Sequence, residues 1–383
     1  ATPFPFLNFN STTMLRKIFL GTLLFFTFIF THAQTDSAKL SKPVADTITD
    51  PKPSLAITGA VDAYYRYDFN NPTANPYNSF TSFTKTQNSF ALGMANVKFE
   101  LQTKKIDMVA DLGFGQREEE FAYNDNGISQ AIKQLYISYS PNSWLKLTAG
   151  SWATHLNYEL ADAFANRNYS MSYSFTVGPF SHTGVRADFT TSKKTAFMIG
   201  VANATDYRIP PDGQINKKFL LAQFTYTPND NLQFLLNYVG GQAPDTSKSS
   251  IGNLIITDKI SSKFNIVYNG ILASVKLWDG AKNIGSKTWW GSALYFNYDP
   301  KSWFGLTLRS EYFSDEKQLN LFASQLTGGN VFSNTLSANF KVDGLTFIPE
   351  FRLDNASSPL FVKHSGASVK SDASFIAAVV YKF

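Results

Sequence analysis

From Leu55 to the last residue, hydrophobic and polar side chains alternate with a period of two. Leu55, Ile57, Val61, Ala63, Tyr65, Tyr67 and Phe69 share one face, and Thr58, Asp62, Arg66 and Asp68 share the other. The same parity runs through Ile106, Met108, Ala110, Leu112 and Phe114 against Lys105, Asp107 and Asp111. It recurs in Leu232, Phe234, Leu236 and Tyr238, in Phe304, Leu306, Leu308 and Tyr312, and in Leu345, Phe347, Phe351 and Leu353. Only a strand sends successive side chains to opposite sides, so these segments predict strands with two chemically distinct faces. Past Leu55 there is no run of 18 apolar residues, which excludes a membrane-spanning helix there.

The connections come in two kinds. Tight turns are read at 103–104, 140–143, 192–193, 228–231, 269–270, 299–302 and 342–344. Long ones are read at 70–86, 116–130, 154–181, 205–216, 242–258, 281–287, 314–331 and 355–371. The two kinds alternate, as in a barrel with short periplasmic turns and long external loops. The count is 16 strands: 55–69, 87–102, 104–115, 131–140, 144–153, 182–191, 194–204, 217–228, 231–241, 259–269, 271–280, 288–299, 303–313, 332–342, 345–354 and 372–383. Residues 169–178 and 251–269 admit other cuts, which would give 14 or 18 strands.

Composition says where the apolar face points. Charged residues make up 16% of the 383-residue chain and aromatics 15%, whereas soluble domains carry about 25% charged residues. A surface facing lipid explains both departures. In hydrocarbon an open sheet edge costs several kcal/mol per unpaired group, so the sheet must close on itself. The fold class is therefore all-β: a closed antiparallel transmembrane barrel. Trp144 and Trp303 follow predicted turns, Tyr226 and Tyr298 precede them, and Trp289 and Trp290 follow a long connection. These placements suit two aromatic girdles at the lipid–water boundaries. The last strand ends on Tyr381 and Phe383, which suits the signal read by the outer-membrane barrel assembly machinery.

The opposite face then lines the interior. Its pore-lining candidates are Asp62, Arg66, Lys98, Glu100, Asp107, Asp111, Lys146, Arg186, Asp188, Arg309, Glu311, Glu350 and Arg352. Charges in a dry core cost several kcal/mol each, and about 16 strands enclose an aqueous channel. The expectation is a water-filled lumen of mixed charge with weak ion selectivity. The longest connection, 154–181, would narrow that lumen if it folded inward, with Glu159, Asp162 and Arg167 setting the local field; the alternative is an outward cap.

The N-terminal region reads as an export signal. Met14 is followed by Arg16 and Lys17, the apolar run Ile18 to Phe30, and Ala33 at the expected cleavage site. Residues 1–13 read as an upstream extension, 14–33 as the signal, 34–54 as a proline-containing periplasmic leader and 55–383 as the barrel. Removing the signal takes away Arg16 and Lys17, which lowers the formal charge from +5 to +3. So small a charge, without basic runs, argues against a nucleic-acid partner. The chain has no cysteine, which rules out thiol catalysis and thiolate metal sites. His155, His182 and His364 stand apart in sequence with no metal-ligand spacing. No G-x-S-x-G, P-loop, G-x-G-x-x-G or H-E-x-x-H motif occurs, so neither an enzyme nor a cofactor is expected. Asp125, within Asn124-Asp125-Asn126-Gly127, suits a turn better than a calcium site.

Several short motifs resemble one family. Asn166-Arg167-Asn168-Tyr169-Ser170, Gly178-Pro179-Phe180, His182-Thr183-Gly184, the stretch Trp290-Gly291 to Tyr298, Leu306 to Tyr312 and the terminal Val379-Val380-Tyr381-Lys382-Phe383 are similar to the OmpL-like outer-membrane porins of Bacteroidota. The resemblance implies one porin-type barrel in the bacterial outer membrane and says nothing of the solute. The partners expected are outer-membrane lipid, the assembly machinery and small hydrophilic solutes. Many porins of this size are trimers, so a homotrimer is a further expectation, although no outward stripe marks an interface. A surface binding or adhesion barrel with a closed lumen is the alternative to a passive porin, and an outer-membrane enzyme is a third reading.

Overall fold

The computed structural model describes residues 53–211, 216–243 and 247–383. The extension 1–13, the export signal 14–33 and the leader 34–54 up to Lys52 lie outside the described residues. Sixteen antiparallel strands close into one barrel. In chain order they begin β1 Ser54–Asp68, β2 Ser89–Gln102, β3 Ile106–Phe114, β4 Ile132–Asn142, β5 Leu145–Ala153 and β6 Ser181–Thr190. They continue as β7 Thr195–Asn203, β8 Lys218–Asn229, β9 Leu232–Gln242, β10 Lys248–Asp258, β11 Phe264–Trp278 and β12 Asn283–Lys301. β13 Phe304–Asp315, β14 Gly329–Val342 and β15 Leu345–Ala356 follow; a small hairpin, β16 Phe361–Val362 and β17 Ser368–Val369, precedes the closing strand β18 Ser371–Lys382. β18 pairs with β15 on one side and with β1 on the other, from Ala60↔Lys382 to Asp68↔Ser374. That seam gives every strand two neighbours, as a sheet in hydrocarbon requires. No described helix is long and apolar enough to cross a membrane.

Side-chain parity follows the alternation. Leu55, Ile57, Val61, Leu147, Ile199, Leu236, Leu336 and Phe351 are exposed on the outer face, while Asp62, Tyr64, Arg66 and Asp68 are buried inside. Aromatics collect at the turn end: Trp303 and Phe304 both lean on Phe340, with Trp303–Phe340 at 6.5 Å and Phe304–Phe340 at 5.0 Å between centroids. Trp144 stacks on Phe189 at 6.3 Å on another part of the same rim. Trp289 departs from the expected girdle. Neighbours in a strand point to opposite faces, so Trp290 is outward and Trp289 is buried inward, 5.9 Å from Phe313.

The count of 16 holds, but one stretch is cut differently. Residues 248–258, expected as a long connection, are strand β10, and Asn269-Gly270, expected as a turn, lies in the middle of β11. The real turn spans 259–263, where the Ser261 hydroxyl accepts from the amides of Lys263 and Phe264. Two causes misled the pattern. Inward positions of β10 include Ile251 and Ile255, which pack against inner apolar neighbours, so alternation fades. Asn269 is an inward rung that accepts from Asn253 at 2.8 Å, and a Cβ on outward Gly270 would sit 2.5 Å from the Tyr268 hydroxyl. Two connections expected to be long shrink accordingly, to 243–247 and 279–282.

Because Leu236 lies mid-strand on the outer face, Leu236→Arg should destabilise the barrel by about 2–4 kcal/mol in equilibrium unfolding from phospholipid vesicles. An unchanged midpoint would show that this face does not meet lipid.

Candidate functional site: the inner wall and the segment that crosses it

The connection between β5 and β6, residues 154–180, lies inside the barrel. It leaves β5, reaches the wall formed by β12 to β15, β18 and β1, and returns to β6. Its deepest part meets the turn end: Lys382 lies 4.2 Å over the Phe164 ring, Arg167 pairs with Asp299, and Asn168 donates to Ser337 at 2.6 Å. Two short turns interrupt it, a 3-10 turn Ala163–Ala165 and a single helical turn Tyr173–Thr176. Most of its backbone groups cannot pair along the segment, so they need partners from elsewhere.

The wall supplies them as charged side chains. Glu350 accepts from the amides of Tyr169 at 2.7 Å and Ser170 at 3.0 Å. Glu311 accepts from the amides of Tyr173 and Ser174, both at 2.8 Å, and from the Ser174 hydroxyl at 2.6 Å. Arg309 donates to the Ser170 carbonyl at 2.7 Å and to Glu159 at 2.5 Å, while Arg352 donates to the Met171 carbonyl at 2.8 Å. The Tyr169 hydroxyl donates to Asp62 at 2.5 Å, and the Tyr173 hydroxyl to Asp354 at 3.0 Å. Carboxylates serve N–H pairs and guanidiniums serve C=O groups, each bond strengthened by the ionic partner.

This placement corrects the expectation that all the inward charges face water. Asp62, Arg66, Asp111, Arg309, Glu311, Glu350 and Arg352 are all buried. Arg66 pairs with Asp68 at 3.0 Å and donates to the carbonyls of Tyr77 and Thr86 in the β1–β2 connection. Asp111 pairs with Lys133 at 2.8 Å, and Lys133 also holds Asp162. Burial of these ions is compensated by pairing and hydrogen bonds rather than by solvent. The other six candidates are different. Lys98, Glu100, Asp107, Lys146, Arg186 and Asp188 are only half-buried, on the inner face of β2, β3, β5 and β6 near the turn end.

Of the constriction candidates, Glu159 binds Arg309, Asp162 binds Lys133 and Arg167 binds Asp299. All three are thus anchors of the segment on the wall. Sequence reading missed Arg117, fully buried on the short helix Gln116–Phe121. Arg117 lies 3.8 Å from Asp62, donates to the Ala161 carbonyl and sits under the rings of Phe83 and Tyr169. It also missed an inward belt of amides, Gln223–Asn237–Asn253–Asn269, each rung 2.8 Å from the next, to which Asn157 of the segment is joined. Their spacing within strands gave a hint, but only strand pairing sets them side by side. His155 and His182, which stand apart in sequence, have ring centroids 5.4 Å apart. His364 hydrogen-bonds the Asn71 carbonyl at the loop end. Asp125, read as a turn residue, pairs with Arg208.

The return of the segment to β6 is held by Asp206, from the β7–β8 connection, which accepts from the amides of Phe180 at 2.7 Å and Ser181 at 2.8 Å. Burial raises its pKa from 3.8 to about 6, against the lowering effect of those amides. The closed state therefore keeps a proton that the open chain loses between these two values. Its advantage is full below pH 3.8 and is lost as pH rises through about 6.

Removing Glu311 leaves the Tyr173 and Ser174 amides without their acceptor, at about 1–3 kcal/mol per orphaned group. Glu311→Ala should therefore speed proteolysis within 154–180, with Glu311→Gln falling between it and the unsubstituted protein. Hydrogen exchange at Phe180 and Ser181, corrected for the intrinsic rate, should show more protection at pH 4 than at pH 7. Asp206→Asn should abolish that difference; a persistent pH dependence would assign it to another group.

Comparison with known proteins agrees with this architecture. Among solved structures, the chain is similar to the outer membrane channel DcaP of Acinetobacter baumannii, at TM-score 0.59 and 11% identity over 88% of this chain and 99% of that one. It is also similar to an anion-selective porin from Comamonas acidovorans, at TM-score 0.57 and 10% identity over 87% and 100%. OmpT of Vibrio cholerae follows at TM-score 0.55 and 10% identity over 88% and 100%. At these identities the likeness is one of fold. No curated protein matches the chain. The family model described as "Putative beta-barrel porin-2, OmpL-like" matches residues 54–383. With that match spanning the whole barrel, the chain belongs to the OmpL-like β-barrel porins and is a channel-type protein of the bacterial outer membrane.

Proposed function

We propose that the protein is a passive porin for small hydrophilic solutes, and that residues 154–180 set its aperture. The observation that carries this reading is the one-sided anchoring of the segment. It is latched to Arg309, Glu311, Glu350 and Arg352 on one wall, while inward Glu100, Asp107, Lys146 and Asp188 on the other keep about a third or more of their side-chain surface exposed. The half-buried inner charges pair as Lys98–Glu100, Lys146–Asp107 and Arg186–Asp188 at 3.0–3.3 Å. Equal numbers of each sign support weak ion selectivity. A non-enzymatic role fits the described histidines, which bond Thr154, the Tyr238 carbonyl and the Asn71 carbonyl rather than a carboxylate.

The C-terminus supports a role for Tyr381 and Phe383 in assembly. Phe383 exchanges backbone hydrogen bonds with Gly59 at 3.0 and 3.2 Å, at the seam between the first and last strands, and its ring is exposed. A homotrimer remains part of this reading, to be checked by cross-linking in native membrane.

One observation favours a closed binding barrel instead. Phe322, Leu360 and Phe361 from the long connections join Val331, Phe313 and Trp289 in one buried apolar cluster at the loop end. Conductance separates the two readings. Deleting 159–176 should raise single-channel conductance in planar bilayers about two- to fivefold over a conducting parent. A conducting parent whose conductance is unchanged by the deletion would refute the aperture role, and a silent parent that conducts only after deletion would favour the closed barrel.

A further inference from the structure

The outer face changes character at the loop end of β9 to β12. Over most of the barrel its strand positions carry aliphatic and aromatic side chains. Here Gln242, Lys248, Lys276 and Ser286 stand side by side in register across the four strands. The next outward row toward mid-strand is Gly240, Ser250, Ser274 and Thr288, and the one after it is Tyr238, Gly252, Leu272 and Trp290. Tyr and Trp rings rest where hydrocarbon meets headgroups. Trp290 is exposed below the lysine row and Trp278 beyond it, so the lysines stand at headgroup level.

Lys248 and Lys276 are both exposed and are direct cross-strand partners. Residues so paired hold their Cβ atoms about 5 Å apart, and like charges there repel. A further ammonium, Lys217, donates to Gln242 at 3.3 Å. The outward acid of these four strands, Asp258, lies at the opposite end of β10. Asp279, in the β11–β12 connection, accepts from the amides of Ala281 and Lys282. The outward face of the described strands thus gives this lysine pair no carboxylate.

Below the pair, the outward side of β10 grades from polar to apolar. After Lys248 come Ser250, Gly252, Leu254 and Ile256. Tyr238 turns toward Gly240 and brings its hydroxyl 3.3 Å from that of Ser250. A Cβ placed on Gly252 would meet no atom within 4 Å, so the surface there is bare between Tyr238 and Leu272. Cation, hydroxyl, bare backbone and aliphatic side chain follow one another in the order of a lipid's phosphate, ester region and acyl chain.

We propose that Lys248 and Lys276 bind the phosphate of an anionic lipid from the leaflet at the loop end, with an acyl chain lying along Gly252 and Leu254. A phosphate between two ammoniums converts their repulsion into attraction. A zwitterionic lipid balances its phosphate within its own headgroup, so a lipid with net negative charge is the better ligand. A second copy of the chain seated here would have to supply carboxylates, yet loop-end acids such as Asp68, Asp354 and Asp372 point inward and are buried. The proposal rests on the lipid-facing exterior and is independent of whether the lumen conducts.

The test uses the folded barrel in phosphatidylcholine bilayers containing a minority of phosphatidylglycerol, the probe lipid. Native mass spectrometry of the released protein should show phosphatidylglycerol retained well above its share of the bilayer. Lys248→Gln combined with Lys276→Gln should lower that retention about tenfold, whereas Arg at both positions should preserve it. Gly252→Leu, which fills the bare strip, should lower retention with both lysines in place. Lys193→Gln, in the exposed β6–β7 turn at the other rim, should change nothing. Retention no higher than the bilayer share, or unaltered in the double Gln variant, overturns the proposal. Displacement by inorganic phosphate but not by chloride at equal ionic strength would assign the site to a soluble anion instead. The chain has no cysteine, so cross-linking of Lys248→Cys between neighbouring copies in native membrane would show that a second copy covers this face, and would equally rule the lipid out.

Discussion

A backbone taken inside a barrel must find a partner for every N–H and C=O it removes from water, and the interior of this protein is organised around that demand. Residues 169–174 have little regular structure of their own, so Glu350, Glu311, Arg309 and Arg352 reach from the wall to bond them. An amide bonded to a carboxylate and a carbonyl bonded to a guanidinium are each worth more than a neutral pair. The charges in turn are tolerated in a buried place because the segment, and one another, satisfy them. Neither the wall nor the segment would be stable in this form without its counterpart.

The arrangement divides the inner wall into unlike sectors. Strands β12 to β15, β18 and β1 carry the bonded charges. Strands β8 to β11 carry the amide belt, whose rungs bond across strands and accept Asn157. Strands β2 to β6 carry the half-buried pairs near the turn end. Such asymmetry follows from attaching one connection to the far wall: the charges it covers are buried, and those it leaves behind stay half-buried. Near the loop end the inner face turns apolar, with Phe219, Leu221, Val239, Ile271 and Phe313 packed against Trp152, Leu156 and Tyr173. The barrel interior is thus part apolar core and part paired charge.

That mixture explains where sequence reading succeeded and where it failed. Strand number, parity, seam and outer face were legible, because lipid imposes the same requirement on every outward position. β10 was not, since its inward Ile251 and Ile255 meet protein rather than water and so break the alternation. Asn269-Gly270 has turn composition, yet its amide serves a rung of the belt and its missing Cβ makes room for Tyr268. The inward charges were legible as a set, but their solvation was not. Arg309 and Lys146 are both inward-facing cations, yet the course of 154–180 covers the first, which is fully buried, while the second stays half-open.

By itself the sequence determined a closed antiparallel barrel with a lipid-facing exterior, because hydrocarbon tolerates neither outward charge nor an open edge, and period-two alternation records both constraints locally. Tertiary structure alone decided which inward residues are buried as latches and which stay half-exposed. That choice depends on contacts between positions far apart in the chain, such as Tyr169 with Asp62 and Ser174 with Glu311, and a residue's own neighbours in sequence carry no trace of them.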